Sequence, residues 1–352
     1  MYENYLFYDI EVFKHNSMVV FKNYEGETVR VFSSHLDGLG EYVDKGLIQK
    51  SGFDGLREFI EGETLVGYNN HFYDDKILYA MTTQSLDHKP FEVRQNLIKS
   101  WNDSLIKRGS DINIKSIDIC KTLDCFQQID VSRPSLKKVE GNMGASIVES
   151  DVDFNIDRLL TPQENLETLK YCEYDVLNTV KIFKMRKGYY DSKDAIVDMI
   201  EKDYLKERAY KWNTTSIVGQ ILKPKAKVPE RKILPAKEIL SYVPVEVQDM
   251  WEELWHTIDC KFKTKKIVVE EFGNVVEFGW GGLHGAPKGF LEAENVKLKD
   301  VDSMYPSLLI NLKGLGDKTK DYKDILDYRL KLKHEGKKKE QAPYKLILKN
   351  WG

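Results

Sequence analysis

Residues 5–13 read YLFYDIEVF, and the two acids inside that run decide how the N-terminal part of the chain is read. Leu6, Tyr8, Ile10 and Val12 alternate with Phe7, Asp9, Glu11 and Phe13, a period of two. The polar stretches KHNS and NYEGE then mark turns into further strands at MVVF and TVRVFSS. Side chains two apart share a strand face, so Asp9 and Glu11 project side by side, flanked by Phe7 and Phe13. Adjacent carboxylates in apolar surroundings repel and resist desolvation unless a cation or proton compensates. A solvated strand face would avoid that cost, and from this stretch alone both arrangements stand.

The chain has 352 residues, comfortable for two domains, with 31% charged and 41% hydrophobic residues. That composition predicts a soluble globular protein, and no apolar run reaches membrane-spanning length. The N-terminus lacks the basic-then-apolar pattern of a signal peptide. Cys120, Cys125, Cys172 and Cys260 are scattered without a C-x-x-C pair, which suits a reducing cytoplasm and no zinc site. The net charge of −3 is uneven: residues 296–352 hold 14 Lys and Arg against 8 Asp and Glu, a balance of +6 that leaves −9 upstream. A basic C-terminal segment beside an acidic body suits a polyanionic partner, although a solvated basic helix would look the same.

Strand and helix patterns alternate through the first 190 or so residues. A helix is expected at FDGLREFIEG, a strand and loop at TLVGYNN, a helix at DDKILYAMTT and a long strand at INIKSIDICKTL. PSLKKVEGNMG and a helix after TPQENLETLK follow, so the fold class expected is α/β with a mixed sheet. Pro224, Pro229 and Pro235 fall within LKPKAKVPERKILP, an expected linker. VQDMWEELWHTI reads as a helix with an apolar stripe, and KIVVEEFGNVVEFGW as a strand pair turning at FGN. A strand is expected to run up to KLKDVDSMYPSLL. The division expected is 1–195, 196–275 (helical and linker) and 276–352.

Two more acidic motifs accompany Asp9 and Glu11. In LVGYNNHFYDDKIL an apolar strand ends at Asn69, and Tyr73 and Asp74 open the next helix. In TPQENLETLKYCEYDVLNTVKIF a capping box starts a helix with Thr161, Pro162 and Glu164. Tyr171 and Asp175 are four apart on one face of it, and Leu169, Cys172, Val176 and Val180 form a neighbouring stripe suited to packing on the sheet. Asp-x-Glu, Asn-x-x-x-Tyr-Asp and Tyr-x-x-x-Asp, in this order, resemble the three exonuclease motifs of ribonuclease-H-like 3′–5′ proofreading exonucleases, in the version with a tyrosine in the last motif. The resemblance implies a two-metal Mg²⁺ or Mn²⁺ centre held by Asp9, Glu11, Asp74 and Asp175. It also implies a water-orienting Tyr171 and contact of Asn69 with the DNA strand end. Hard cations take oxygen ligands, which accounts for carboxylates rather than His or Cys.

KLKDVDSMYPSLL is similar to the palm motif Asp-x-x-Ser-Leu-Tyr-Pro-Ser of family B DNA polymerases, with Met304 in place of Leu. That likeness implies Asp300 as a metal ligand, Ser303, Met304 and Tyr305 at the nucleotide, and Asp302 at a variable position. QAPYKLILKNWG begins like the fingers helix, which implies triphosphate contacts from Lys345 with help from Arg329. Gly281 and Gly282 in GWGGLHGA stand where such enzymes guide the DNA strand between sites. Taken together, the chain resembles the N-terminal portion of a bacteriophage-type family B DNA polymerase: an exonuclease domain followed by an incomplete palm and the start of the fingers. What this implies is proofreading-type exonuclease activity on DNA without polymerisation by this chain alone. The alternatives are a subunit completed by a second chain, a self-associating palm, or a non-catalytic DNA-binding protein.

Overall fold

The computed structural model describes residues 2–108, 114–128, 134–223, 266–271, 273–279, 282–289 and 303–349, with isolated positions between them. The prolines of the expected linker, most of VQDMWEELWHTI, and Gly281, Asp300 and Asp302 lie outside the described residues. The chain forms two compact units, one of residues 1–224 with 309–352 and one of residues 225–308.

The larger unit is built on a five-stranded mixed sheet of β1 (Tyr5–Val12), β2 (Ser17–Lys22), β3 (Thr28–Ser33), β4 (Thr64–Gly67) and β5 (Lys121–Asp124), in the order β3-β2-β1-β4-β5. β1, β2 and β3 are antiparallel neighbours, and β4 and β5 run parallel to β1. This is the mixed-sheet α/β class expected from the alternating strand and helix patterns. β4 pairs with β1 only from Tyr5 to Phe7, whereas β2 follows β1 through Asp9↔Val20 and Glu11↔Met18. The two acids therefore begin where the parallel neighbour has turned away, in the crevice at the carboxyl ends of the parallel strands.

Helices α1 (Gly40–Asp44), α2 (Leu56–Ile60), α3 (Asp74–Thr82), α4 (Phe91–Arg108), α5 (Leu136–Asn142), α6 (Pro162–Met185), α7 (Lys187–Asp198), α8 (Asp203–Ala209) and α9 (Thr214–Leu222) belong to the same unit as the sheet. On one face Leu169, Cys172, Val176, Val180 and Phe183 of α6 pack against Phe7, Met18, Val20 and Val66. On the other, Ile77, Leu78 and Met81 of α3 and Ile98 and Leu105 of α4 pack against Tyr8, Ile10, Val19 and Leu65. β1 is thus covered on both faces, and its alternating residues feed two cores. The capping box forms as expected: Glu164 N–H donates to Thr161 Oγ1 (3.3 Å) and Thr161 N–H to Glu164 Oε2 (2.8 Å).

One sequence expectation is corrected. Of the strand expected over 112–123, the described residues form strand only from Lys121, in β5 (Lys121–Asp124), because its partner β4 offers only four residues for pairing. The strand expected to run up to KLKDVDSMYPSLL falls in part on residues outside those described; helix α10 (Met304–Asn311) follows, with Pro306 in its first turn, where a missing N–H costs nothing. Residues 309–352 belong to the larger unit. Tyr322 and Leu326 of α11 (Thr319–His334) and Ile347 and Leu348 of α12 (Lys338–Lys349) share a core with Ile196 and Val197 of α7 and Ile217 of α9. In the smaller unit β6 (Lys266–Glu271), β7 (Asn274–Gly279) and β8 (Gly282–Pro287) form an antiparallel sheet, its first turn at Gly273 as expected.

Candidate active site

Three segments far apart in sequence bring Asp9, Glu11, Asp74 and Asp175 to one cleft of about 540 Å³, which Asn69 and Tyr171 also line. β1 supplies the first pair, the start of α3 supplies Asp74, and α6 supplies Asp175 and, one turn earlier, Tyr171. Carboxylate oxygens of Asp9 and Glu11 lie within 4.8 Å of each other and of Cys172 Sγ. The Cys172 thiol, fully buried, donates to the main-chain oxygen of Asp9 (3.5 Å).

Burial, reinforced by the Asp175 charge, pushes the Asp9 carboxyl up to about 8. Burial followed by the charge of Asp9 holds Glu11 and Asp74 well above the usual carboxylate range. Asp175 is raised as well, by burial, against the pull of Lys137. Four acids brought together in a desolvated cleft resist ionising together, and a bound cation would reverse the sign of their interaction. The donor set is hard oxygen throughout apart from Cys172, and its acids project into an open cleft, so these residues fit Mg²⁺ or Mn²⁺.

A lysine that the motifs do not include already supplies one positive charge. Ser135 caps α5 by accepting from Lys138 N–H (3.4 Å), which puts Lys137 in the first turn. Its Nζ donates to Asp175 Oδ1 at 2.5 Å, lies 3.6 Å from Glu140 Oε2 and sits 4.6 Å from the centre of the Tyr171 ring. The Tyr171 hydroxyl is itself hydrogen-bonded to Asp175. Nothing in PSLKKVEGNMG distinguishes Lys137 from a surface lysine; its role emerges only once α5 is packed beside α6.

The turn between β4 and α3 is held from behind. Asp75 is fully buried and accepts from Tyr8 Oη (2.5 Å), Thr122 Oγ1 (2.8 Å) and Asn70 Nδ2 (3.0 Å). Asn69 adopts a left-handed conformation (φ 63°), and its N–H donates to Asp124 Oδ1 (2.7 Å). Asn69 thus faces the cleft while Asn70 is spent on the support. Gly67 is required where it stands: a Cβ there would come within 2.6 Å of Asn70 Cβ. Phe154 and Asn155, from the loop before α6, line the cleft too. Phe154 is 42% exposed and stacks on Phe13.

The other expected residues that are described stand on other elements. Ser303 (φ 53°), Met304 and Tyr305 stand at the start of α10 in the unit of residues 225–308, with Tyr305 69% exposed. Arg329 on α11 donates to Gln341 Oε1 (3.1 Å) on α12, the helix that also carries Lys345. Gly282 opens β8.

Among the described residues, no helix is long and apolar enough to cross a membrane. No protein-family model matches the chain, and no curated protein matches it. Eighteen chains of solved structures match. One of them is the family B DNA polymerase from the hyperthermophilic archaeon Pyrobaculum calidifontis, at 13% identity and a TM-score of 0.46. That match takes in 98% of this chain and 46% of the polymerase, so the chain spans under half of that protein's length.

Proposed function

We propose that the chain is a metal-dependent 3′–5′ exonuclease acting on DNA, of the kind attached to family B polymerases. The observation that supports it is the convergence of Asp9, Glu11, Asp74, Asp175 and Tyr171 from three separate segments into one cleft. Asp9, Glu11, Asp74 and Asp175 would hold Mg²⁺ or Mn²⁺, which when bound supplies an activated water and positive charge at the leaving 3′-oxygen. Tyr171, one helical turn from Asp175, has a hydroxyl that would orient an attacking water. Lys137 fixes Asp175 and offers an ammonium to a phosphate oxygen in the same cleft. Asn69, held by Asp124 through its main chain, contacts the strand end.

The same reading assigns Asp300 to a palm metal, Ser303, Met304, Tyr305, Arg329 and Lys345 to an incoming nucleotide, and Gly281 and Gly282 to the DNA strand. The test is degradation of 5′-labelled single-stranded DNA with Mg²⁺ or Mn²⁺. A ladder shortening from the 3′ end is expected, and Asp9→Ala should slow it by several orders of magnitude. Undiminished degradation by Asp9→Ala would refute the assignment.

A further inference from the structure

A second cavity, of about 510 Å³, adjoins the acidic cleft along α4. The two share Lys99, Asp103 and Lys107 as lining, so the groove continues from the acids along the helix. Lys99, Asp103 and Lys107 recur every four residues and share one helix face; Ser100 and Ser104 form the next row, and Lys14, from the turn after β1, completes the wall. Every side chain lining this cavity is Lys, Asn, Ser or Asp. Such a groove offers no apolar pocket for a peptide anchor or a greasy ligand.

We propose that this face of α4, with Lys14, is the track for the backbone phosphates of the single strand leading to the scissile bond. The inference rests on the nuclease reading above and assigns the residues that would hold the strand beyond the cleaved bond, over several nucleotides. Lys99 and Lys107 are eight residues apart, about 12 Å along the helix axis, room for more than one phosphate. Serine hydroxyls between them can donate to phosphate oxygens without reading sequence. Lys99 is paired with Asp103 (3.0 Å) and Lys14 with Asp157. The Lys14 pair is exposed and so worth little, and a phosphate can replace it at small cost.

Fluorescence anisotropy tests this with a labelled DNA octamer in EDTA, where binding is read without hydrolysis. Lys14→Ala/Lys107→Ala should raise Kd about tenfold at low salt. It should also flatten the plot of log Kd against log salt by about 1.4, or roughly 0.7 for each phosphate that a lysine no longer neutralises. Lys14→Arg/Lys107→Arg should restore both, which a merely disturbed fold would not. An unchanged Kd and slope in the alanine pair would overturn the track. A strand bound with the expected slope but never cut would instead sink the nuclease reading alone.

Discussion

Acids sit on strands in both units, and the two settings differ. On β1, Asp9 and Glu11 lie in a strand covered by α6 on one face and by α3 and α4 on the other. On β6, Glu270 is exposed, beside an exposed Val268, and pairs with Lys288 at 2.9 Å while both side chains stay more than 60% accessible. The first pair is desolvated and drives its own protonation upward; the second is a solvated ion pair of little consequence. Acid content of a strand therefore says little by itself. What converts two carboxylates into a candidate metal site is a sheet closed on both sides that ends beside them.

The contrast breaks most visibly in catalysis. Asp175→Ala should cut DNA hydrolysis by about 10³-fold or more, because it removes a metal ligand, while Glu270→Gln should leave the rate as it is. Comparable losses in both would show that burial has nothing to do with the chemistry. Lys137→Ala and Tyr171→Phe should fall between these, at about 10- to 100-fold, since each removes one charge-assisted or orienting interaction and no ligand. Steady-state rates on labelled oligonucleotides read all four variants.

Support of the site from behind gives the next effect. Gly67→Ala drives a methyl into Asn70, the residue that holds Asp75, and should destabilise the protein by about 1–3 kcal/mol in urea unfolding. Activity should fall with it, because the same turn carries Asn69 and Asp74. Glu270→Gln should change stability by less than about 0.5 kcal/mol.

The smallest effect is on pH dependence, and its sign follows from the raised acids. Asp9 titrates near 8 in the folded chain against an ordinary value of 3.8, so between these pH values the folded state binds the extra proton. Stability of the metal-free protein therefore falls as pH rises through that window, and Glu11, Asp74 and Asp175 act in the same direction. His71, pushed down by burial from 6.5 to about 4, acts oppositely below 6.5, so melting curves between pH 6.5 and 8 read the raised acids, with Asp124, pushed up by burial to about 7, adding to the fall at the lower end. At pH 8 Asp9→Asn should melt a few degrees higher than the parent, since it removes a charge that burial opposes. A variant that melts lower would mean Asp9 is already compensated.

Much of this site is written locally. A period of two puts Asp9 and Glu11 on one face, the capping box fixes where α6 starts, and the four-residue spacing aligns Tyr171 with Asp175. Each depends on neighbours within a few residues, so each can be read from sequence. Lys137, Asp124 and the hydroxyl of Thr122 are different: their partners lie 38, 55 and 47 positions away, and only packing brings them in. Asp74 and Asp75 show the same boundary at one step. Adjacent residues on a helix point about 100° apart, so one acid faces the cleft and the other the core, and sequence alone gives no preference. The groove along α4 is equally hidden, because FEVRQNLIKSWNDSLIKR has its lysines where any solvated helix would.

The central claim is that the four carboxylates form one site that a cation must complete. Thermal melting at pH 8 across millimolar Mn²⁺, for the parent and for Asp9→Asn, tests it directly. The parent should gain several degrees, because the ion binds the folded state alone, and Asp9→Asn should gain much less. A parent melting temperature that does not move with Mn²⁺ would contradict the account.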